Sequence, residues 1–274
     1  MYKMLALDMD GTTLNSQKKI TPKTVDAINK LLKAGVEVVV ASGRALNELS
    51  DYRDDFKNMR YGILTSGGMI YNFVEDKPLS IHPVSFEDCI KLIDLGEIEN
   101  AMIHLLTIKD SVARQIDIDH MSDFGMGVYY DMFNRICIKC DDLKSYAYDH
   151  KADVMKVNLY HRSIESRDRT VERLKNSGLQ IVFAEQNNLE ASVKNITKAS
   201  GLIELCKILN IDIKETVAIG DAPNDLEILQ TAGYSVAMGN ADEEIKQIAD
   251  YVTADNDHDG VALAIKRIFN LGEN

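Results

Sequence analysis

Short runs of apolar residues, each closed by a small or acidic polar residue, constrain this chain most. "KMLAL" leads into Asp8, "VEVVVA" into Ser42, "YGIL" into Thr65-Ser66 and "TVAIG" into Asp221. A strand that is apolar at every position must be covered on both faces, which is the mark of a parallel sheet between helices and not of a half-exposed antiparallel one. Helical segments separate the first three runs. One has Thr21 as N-cap, Pro22 at its first position, apolar Val25, Ile28, Leu31 and Leu32, and Gly35 as its stop; in the next, Leu46, Leu49 and Tyr52 recur at helical spacing.

The rhythm changes between Met69 and about residue 190. "MIYNF" and "PLSIH" around "VEDK" read as a hairpin. Ser85 with Asp88 opens a helix to about Leu95, strand-like stretches follow at 101–108, 126–139 and 153–160, and a helix over 163–176 ends at Gly178 before "LQIVFA". The parallel rhythm then resumes: a helix near 199–209, "ETVAIG", a helix from Pro223, "YSVAM", a helix at 241–249, "DYVTA" and a last helix at 260–270. The expected fold is therefore α/β, a doubly wound, Rossmann-like parallel-sheet core made of residues 1–83 and 190–274, with an inserted α+β domain at 84–189.

Of 274 residues 45% are apolar, enough for a sizeable core, and the net charge is −12. Such a chain does not hold nucleic acid or anionic lipid by bulk attraction, so an anionic substrate needs a local metal or a few fixed donors. The opening apolar run is four residues long and is cut off by Asp8, and no run approaches the ~18 residues of a membrane span, so a cytoplasmic protein is expected. Four dispersed cysteines, Cys89, Cys137, Cys140 and Cys206, fit a reducing compartment. Cys137 and Cys140 form a lone C-x-x-C without the second pair that a zinc ribbon needs, and "RICIKC" alternates like a strand, which puts the two sulfurs on opposite faces.

In "LDMDGTTLNS", Asp8 and Asp10 follow the first strand with one residue between them, at the carboxyl end where open α/β sheets build their sites. Side chains two apart on extended backbone point the same way. Two converging carboxylates need a cation, or one stays protonated. With oxygen donors and no Cys or His nearby, the suitable cation is hard, most simply Mg²⁺.

The ordered set "DMDGT", "ASGR", Lys198 and "GDAPND" resembles the haloacid dehalogenase superfamily, specifically its Cof-like phosphohydrolases, which carry a large type-II (subclass B) cap between the second and third motifs. The resemblance covers the core; the cap agrees in position and length more than in sequence. It implies a Mg²⁺-dependent phosphatase for small phosphorylated metabolites, sugar phosphates above all, working through an aspartyl-phosphate. Asp8 is then the nucleophile, and Asp10 the acid that protonates the leaving oxygen and later activates water. Lys198 neutralises the nucleophile and the transferring group. The Met9 N–H, Ser42 hydroxyl, Gly43 N–H and Asn224 contact phosphoryl oxygens. Asp8, the Asp10 carbonyl and Asp221 bind the metal, with Asp225 contributing through water or as support; the alternative for Asp225 is a carboxylate favoured by a helix N-terminus. Arg44 is either a substrate contact or part of a structural ion pair.

Two positions depart from the family pattern. Ala199-Ser200 follow Lys198 where Gly is frequent, and Ser66-Gly67-Gly68 replace Asn-Gly-Ala at the third strand end, which puts substrate contacts from that loop in doubt. "DNDHDG" (residues 255–260) matches half of a calcium loop, but the twelfth position is Lys266 instead of Glu, so a capped turn before the last helix is expected. The six histidines show no metal-ligand spacing. The rival readings are a phosphosugar mutase of the same superfamily and, from another class, a phosphorelay receiver, which also pairs strand-end acids with Ser/Thr and Lys.

Overall fold

A computed structural model describes residues 2–151, 153–183 and 186–270. The first five strands are β1 (Met4–Leu7), β2 (Glu37–Ala41), β3 (Tyr61–Leu64), β4 (Met69–Asn72) and β5 (Lys77–Ile81). Six more occupy the middle: β6 (Met102–Thr107), β7 (Ser111–Arg114), β8 (Ile138–Cys140), β9 (Val154–Tyr160), β10 (Leu179–Val182) and β11 (Asn188–Val193). The last three are β12 (Thr216–Gly220), β13 (Tyr234–Ala237) and β14 (Tyr251–Val252). Ala184, the last residue of "LQIVFA", lies outside the described residues, as do residues 1 and 271–274 of the expected core.

The chain divides into two units. The first is Met1–Gly43, Tyr52–Ser80 and Thr197–Asn274; the second is Arg44–Asp51 and Ile81–Ile196. The second unit thus takes three pieces that sequence placed in the core: Arg44–Asp51, residues 81–83 and residues 190–196. The last piece falls there because β11 completes an antiparallel ladder with β9 and β10.

In the first unit eight strands run in the order β14-β13-β12-β1-β2-β3-β4-β5. β1 is buried at all four positions and pairs in parallel with β2 on one side and β12 on the other. From β1 the chain winds outward through β2 and β3, and from β12 it winds the other way through β13 and β14, so the order reverses between β1 and β12. That reversal splits the flanking connections to opposite sides and opens a crevice at the carboxyl ends of these strands. β4 turns antiparallel against β3, and β5 lies beside β4 at the edge of the sheet, the two strands of the expected hairpin. The helix Pro22–Lys33 starts and stops as its sequence dictates: the Thr21 hydroxyl accepts from the Thr24 N–H, and Gly35 adopts φ +82°.

In the second unit six strands run in the order β10-β11-β9-β6-β7-β8, antiparallel except where β7 meets β8. Ile103 and Leu105, Val157 and Leu159, and Leu189 and Ala191 pack with Leu92 and Ile93 of the helix Phe86–Ile98 in one apolar cluster. By the two-residue period of strands, His104, Asn158 and Glu190 project to the opposite face, in a row fixed by the register His104↔Asn158↔Glu190.

The strand expected over 126–139 is instead a short 3₁₀ turn and the helix Tyr130–Ile136, ending in the three-residue β8. Met126, Phe133 and Cys137 are buried together there at the spacing of helix turns, which outweighs the β-forming residues between them. Cys137 ends that helix and Cys140 closes β8; both thiols are free, and burial pushes them up to about 12 and about 11, which suppresses the thiolate. Among the described residues no helix is long and apolar enough to cross a membrane.

Candidate active site

The site begins where β1 ends. The Asp8 N–H donates to the Ile219 carbonyl at 3.1 Å, carrying the β1–β12 ladder one residue beyond Leu7. The chain then turns sharply. The Met9 carbonyl accepts from the N–H groups of Thr12 (3.3 Å) and Leu14 (2.8 Å), and the Thr13 hydroxyl donates to the Asp8 carbonyl at 2.6 Å. Gly11 adopts φ +83°, and a Cβ there would strike the Asp221 carboxylate, so the turn admits no side chain at this position. Thr12 donates its hydroxyl to Asp221 Oδ1 at 2.6 Å and so joins the first acidic loop to the one after β12.

Lys198 is the first residue of the helix Lys198–Leu209 and is buried, with its side chain 1% exposed. Its Nζ donates to Asp8 Oδ1 at 2.5 Å and to Asp225 Oδ1 at 2.7 Å. The other Asp225 oxygen accepts the N–H groups of Asp221 (3.0 Å) and Ala222 (3.2 Å). Asp225 therefore uses one oxygen to hold the lysine and the other to shape the Asp221 turn. The Ala199-Ser200 departure has a local purpose: Thr197 and Ser200 cap each other's backbone N–H and fix the helix start that carries Lys198.

Asp8, Asp221 and Asp225 each bring one carboxylate oxygen within 4.8 Å of the others. Three acids face a single ammonium, and the electrostatics show it. Burial, followed by repulsion from Asp225, holds the Asp8 carboxyl well above its usual range, with Lys198 opposing. Burial also raises Asp221 to about 6, against the Thr12 hydrogen bond and with Asp225. For Lys198 burial works against the charge, but Asp225 and Asp8 outweigh it and raise the ammonium above its ordinary value. A buried, all-oxygen, electron-rich group of this kind fits a hard divalent cation such as Mg²⁺. The surroundings of Asp8 thus disfavour its charged form, with Lys198 alone among its named neighbours opposing them.

The Asp10 side chain stands apart from these three acids. Lys18 Nζ lies 2.9 Å from Asp10 Oδ1, and both side chains are 35% exposed. The Ser42 N–H donates to the Ile63 carbonyl at 2.8 Å, and the Ser42 carbonyl accepts from the Ser66 N–H at 3.0 Å. Register puts the end of β2 beside that of β1, so Ser42 and the half-buried Gly43 border Asp8 and Met9. Asn224 Oδ1 is buried without a hydrogen-bond partner among the described residues. Arg44 belongs to the second unit, where its Nη1 donates to the Glu48 carbonyl at 3.1 Å and approaches Met132 Sδ at 3.4 Å.

Three consecutive residues of the departing loop are left-handed: Thr65 (φ 49°), Ser66 (φ 58°) and Gly67 (φ 97°). A β-branched residue there is strained, and the surroundings hold it in place. Ser66 bonds back to Ser42, and a Cβ on Gly67 would strike the Thr197 carbonyl, so the loop links the end of β2 to the start of the Lys198 helix. The 255–260 loop differs from its expectation. Asp259 adopts φ 58° and provides no side-chain cap; its carboxylate takes the Thr21 hydroxyl at 2.6 Å and Lys23 at 2.8 Å. Thr12 and Lys18 are the neighbours that sequence reasoning missed. Thr12 is the last residue of "DMDGT" and so carried a signal, whereas Lys18 meets Asp10 only through a turn closed by the Asn15 side chain on the N–H groups of Gln17 and Lys19.

Residues 5–265 match the model of the haloacid dehalogenase-like hydrolase family. The chain is 29% identical over 275 residues to the 5-amino-6-(5-phospho-D-ribitylamino)uracil phosphatase YitU of Bacillus subtilis, covering 98% of each. A solved haloacid dehalogenase-like hydrolase from B. subtilis superposes with a TM-score of 0.88 at 27% identity, over 97% of this chain and 99% of that one. The subclass IIB sugar phosphatase BT4131 shares the fold, with a TM-score of 0.83 at 23% identity over 97% and 99%. Acids at the switch point of a doubly wound sheet, bridged by a buried lysine, thus meet a match that runs nearly end to end: this chain belongs to the haloacid dehalogenase-like hydrolases, as a phosphatase of that superfamily.

Proposed function

We propose that the protein hydrolyses phosphate monoesters of small polyhydroxylated metabolites, sugar or sugar-alcohol phosphates, with Mg²⁺ and through an aspartyl-phosphate on Asp8. The observation that carries this reading is Lys198 bridging Asp8 and Asp225 beside Asp221, at the carboxyl ends of β1 and β12. The Asp8 carboxylate forms a bond to phosphorus as the ester oxygen departs, and Asp10 gives that oxygen a proton. In the second half a water attacks phosphorus, Asp10 takes its proton, and the Asp8–phosphorus bond breaks to free phosphate. Lys18 Nζ, 2.9 Å from Asp10 Oδ1, holds the Asp10 side chain over the turn. Lys198, the Ser42 hydroxyl, the Met9 and Gly43 N–H groups and Asn224 hold the phosphoryl oxygens. Asp8, Asp221 and the Asp10 carbonyl, with Asp225 in support, would hold Mg²⁺, which would supply charge to offset the phosphoryl oxygens.

For the second unit we propose substrate selection. What supports it is the polar sheet face, where the His104 nitrogens and the amide oxygens of Asn158 and Asn188 are buried without hydrogen-bond partners among the described residues. Buried polar atoms left in this state are costly unless something else completes them. The name of YitU, a phosphatase for a ribityl phosphate, agrees with a hydroxyl-bearing occupant. Four free cysteines agree with a reducing compartment such as the cytoplasm. The test is phosphate release from p-nitrophenyl phosphate and from a panel of phosphorylated metabolites, with Mg²⁺ and with chelator. Multiple turnovers that stop with chelator support the reading. No turnover on any ester, or dependence on a sugar bisphosphate activator as in a mutase, overturns it.

A further inference from the structure

The "DNDHDG" loop, a failed calcium motif by sequence, is joined to the nucleophile turn by two asparagines. Asn240 Nδ2 donates to the Gly11 carbonyl at 2.8 Å, and Asn256 Nδ2 donates to the Leu14 carbonyl at 2.9 Å. The Asn256 N–H donates to Asn240 Oδ1 at 3.0 Å, so both amides form one connected chain from the loop to the turn. Gly11 and Leu14 bracket the stretch whose N–H groups close on the Met9 carbonyl.

The same segment also fixes the other acidic loop. The Met238 N–H donates to the Gly220 carbonyl at 3.1 Å and the Asp242 N–H to the Asp221 carbonyl at 3.2 Å. Asn240 lies between these two contacts. It therefore ties the turn after β1 to the segment that holds the turn after β12. These are the two backbones whose side chains, Thr12 and Asp221, meet at 2.6 Å. Farther along, Asp257 and Asp259 grip Ser16 and Thr21, beyond the turn.

We propose that Asn240 and Asn256 are positioning residues for phosphoryl transfer: they set the Gly11–Leu14 turn against Asp221 and thereby fix the Asp8–Asp10 backbone. This rests on the phosphatase reading above. Reacting groups displaced by a fraction of a bond length lose rate steeply, whereas one hydrogen bond near the surface contributes little to stability. Asn240 is exposed, so changing it removes no packing.

Asn240→Asp keeps the acceptor for the Asn256 N–H and turns the donor at Gly11 into an oxygen. The expected result is a fall in kcat of about tenfold to a hundredfold on p-nitrophenyl phosphate, with KM changed less than about threefold and Tm within a few degrees of the parent. Hydrogen exchange should quicken at the amides of Thr12 and Leu14. Asp259→Ala releases Thr21 and Lys23 at the far end and serves as the comparison, with Tm lowered and kcat per folded molecule unchanged. Wild-type kcat in both Asn240→Asp and Asn256→Leu, or losses that only track Tm as in Asp259→Ala, would overturn the proposal. The exchange measurement needs no turnover: unchanged protection at Thr12 and Leu14 defeats the clamp itself, while absent wild-type turnover defeats only the phosphatase reading.

Discussion

The two sheets deal with polar groups in opposite ways. In the eight-stranded sheet, β1 and β12 are buried at every position, and the acids stand immediately after their last residues. In the six-stranded sheet, His104, Lys156, Asn158 and Glu190 lie in mid-strand, and Lys156 forms a buried ion pair with Glu190 at 2.9 Å. A parallel strand covered on both faces has no room for polar side chains along its length, so its chemistry is concentrated where the strands stop. An antiparallel strand with one apolar face is free to carry a polar face along its whole length. The first arrangement gathers a few polar groups at the strand ends; the second spreads several along a buried sheet face.

Substitutions that separate the two sheets sharpen this contrast. The largest effect belongs to Asp8→Asn, which should reduce turnover by about a thousandfold or more while far-UV circular dichroism stays that of the parent. Next come the two buried lysines. Lys198→Met removes the ammonium that bridges Asp8 and Asp225, and Lys156→Met breaks the buried pair with Glu190; each should lower stability in urea by about 3–5 kcal/mol. Turnover per folded molecule should collapse only with Lys198→Met. Equal collapse in both variants would erase the distinction between the sheets.

A smaller effect tests the polar face by pH. Burial, aided by Lys156, lowers His104 to about 3, and the Glu48 carboxylate at 3.6 Å is too distant to reverse this. The unfolded chain therefore binds the proton that the folded protein refuses between about pH 6.5 and 3. Stability is fully present above that window and falls as pH drops through it, by up to about 1.4 kcal/mol per unit from this one group. His104→Phe should flatten that slope in urea titrations; an unchanged slope would show that His104 is protonated within the fold.

Much of this was legible in the sequence because parallel strands and strand-end motifs are local signals. Asp8, Ser42 and Asp221 each follow an apolar run directly, and Lys198 starts a helix whose Thr197–Ser200 cap is itself local. The missing parts come from long-range pairing. Asn240 reaches Gly11 across 229 positions, and β11 joins the second unit because of its ladder with β9, which no periodicity within β11 reveals. The helix Tyr130–Ile136 was hidden by residues that favour strands until Phe133 and Met126 were seen buried together. Alternation along β9 shows that one face is polar, but not which groups on it stay unpaired.

In the proposed reaction Asp8, held by Lys198, takes the phosphoryl group. Acid quenching of the protein during turnover of p-nitrophenyl phosphate with Mg²⁺, followed by peptide mapping in a mass spectrometer, tests it directly. A phosphoryl adduct on Asp8 that is absent from Asp8→Asn is the expected result. An adduct on another residue, or sustained turnover by Asp8→Asn, would contradict it.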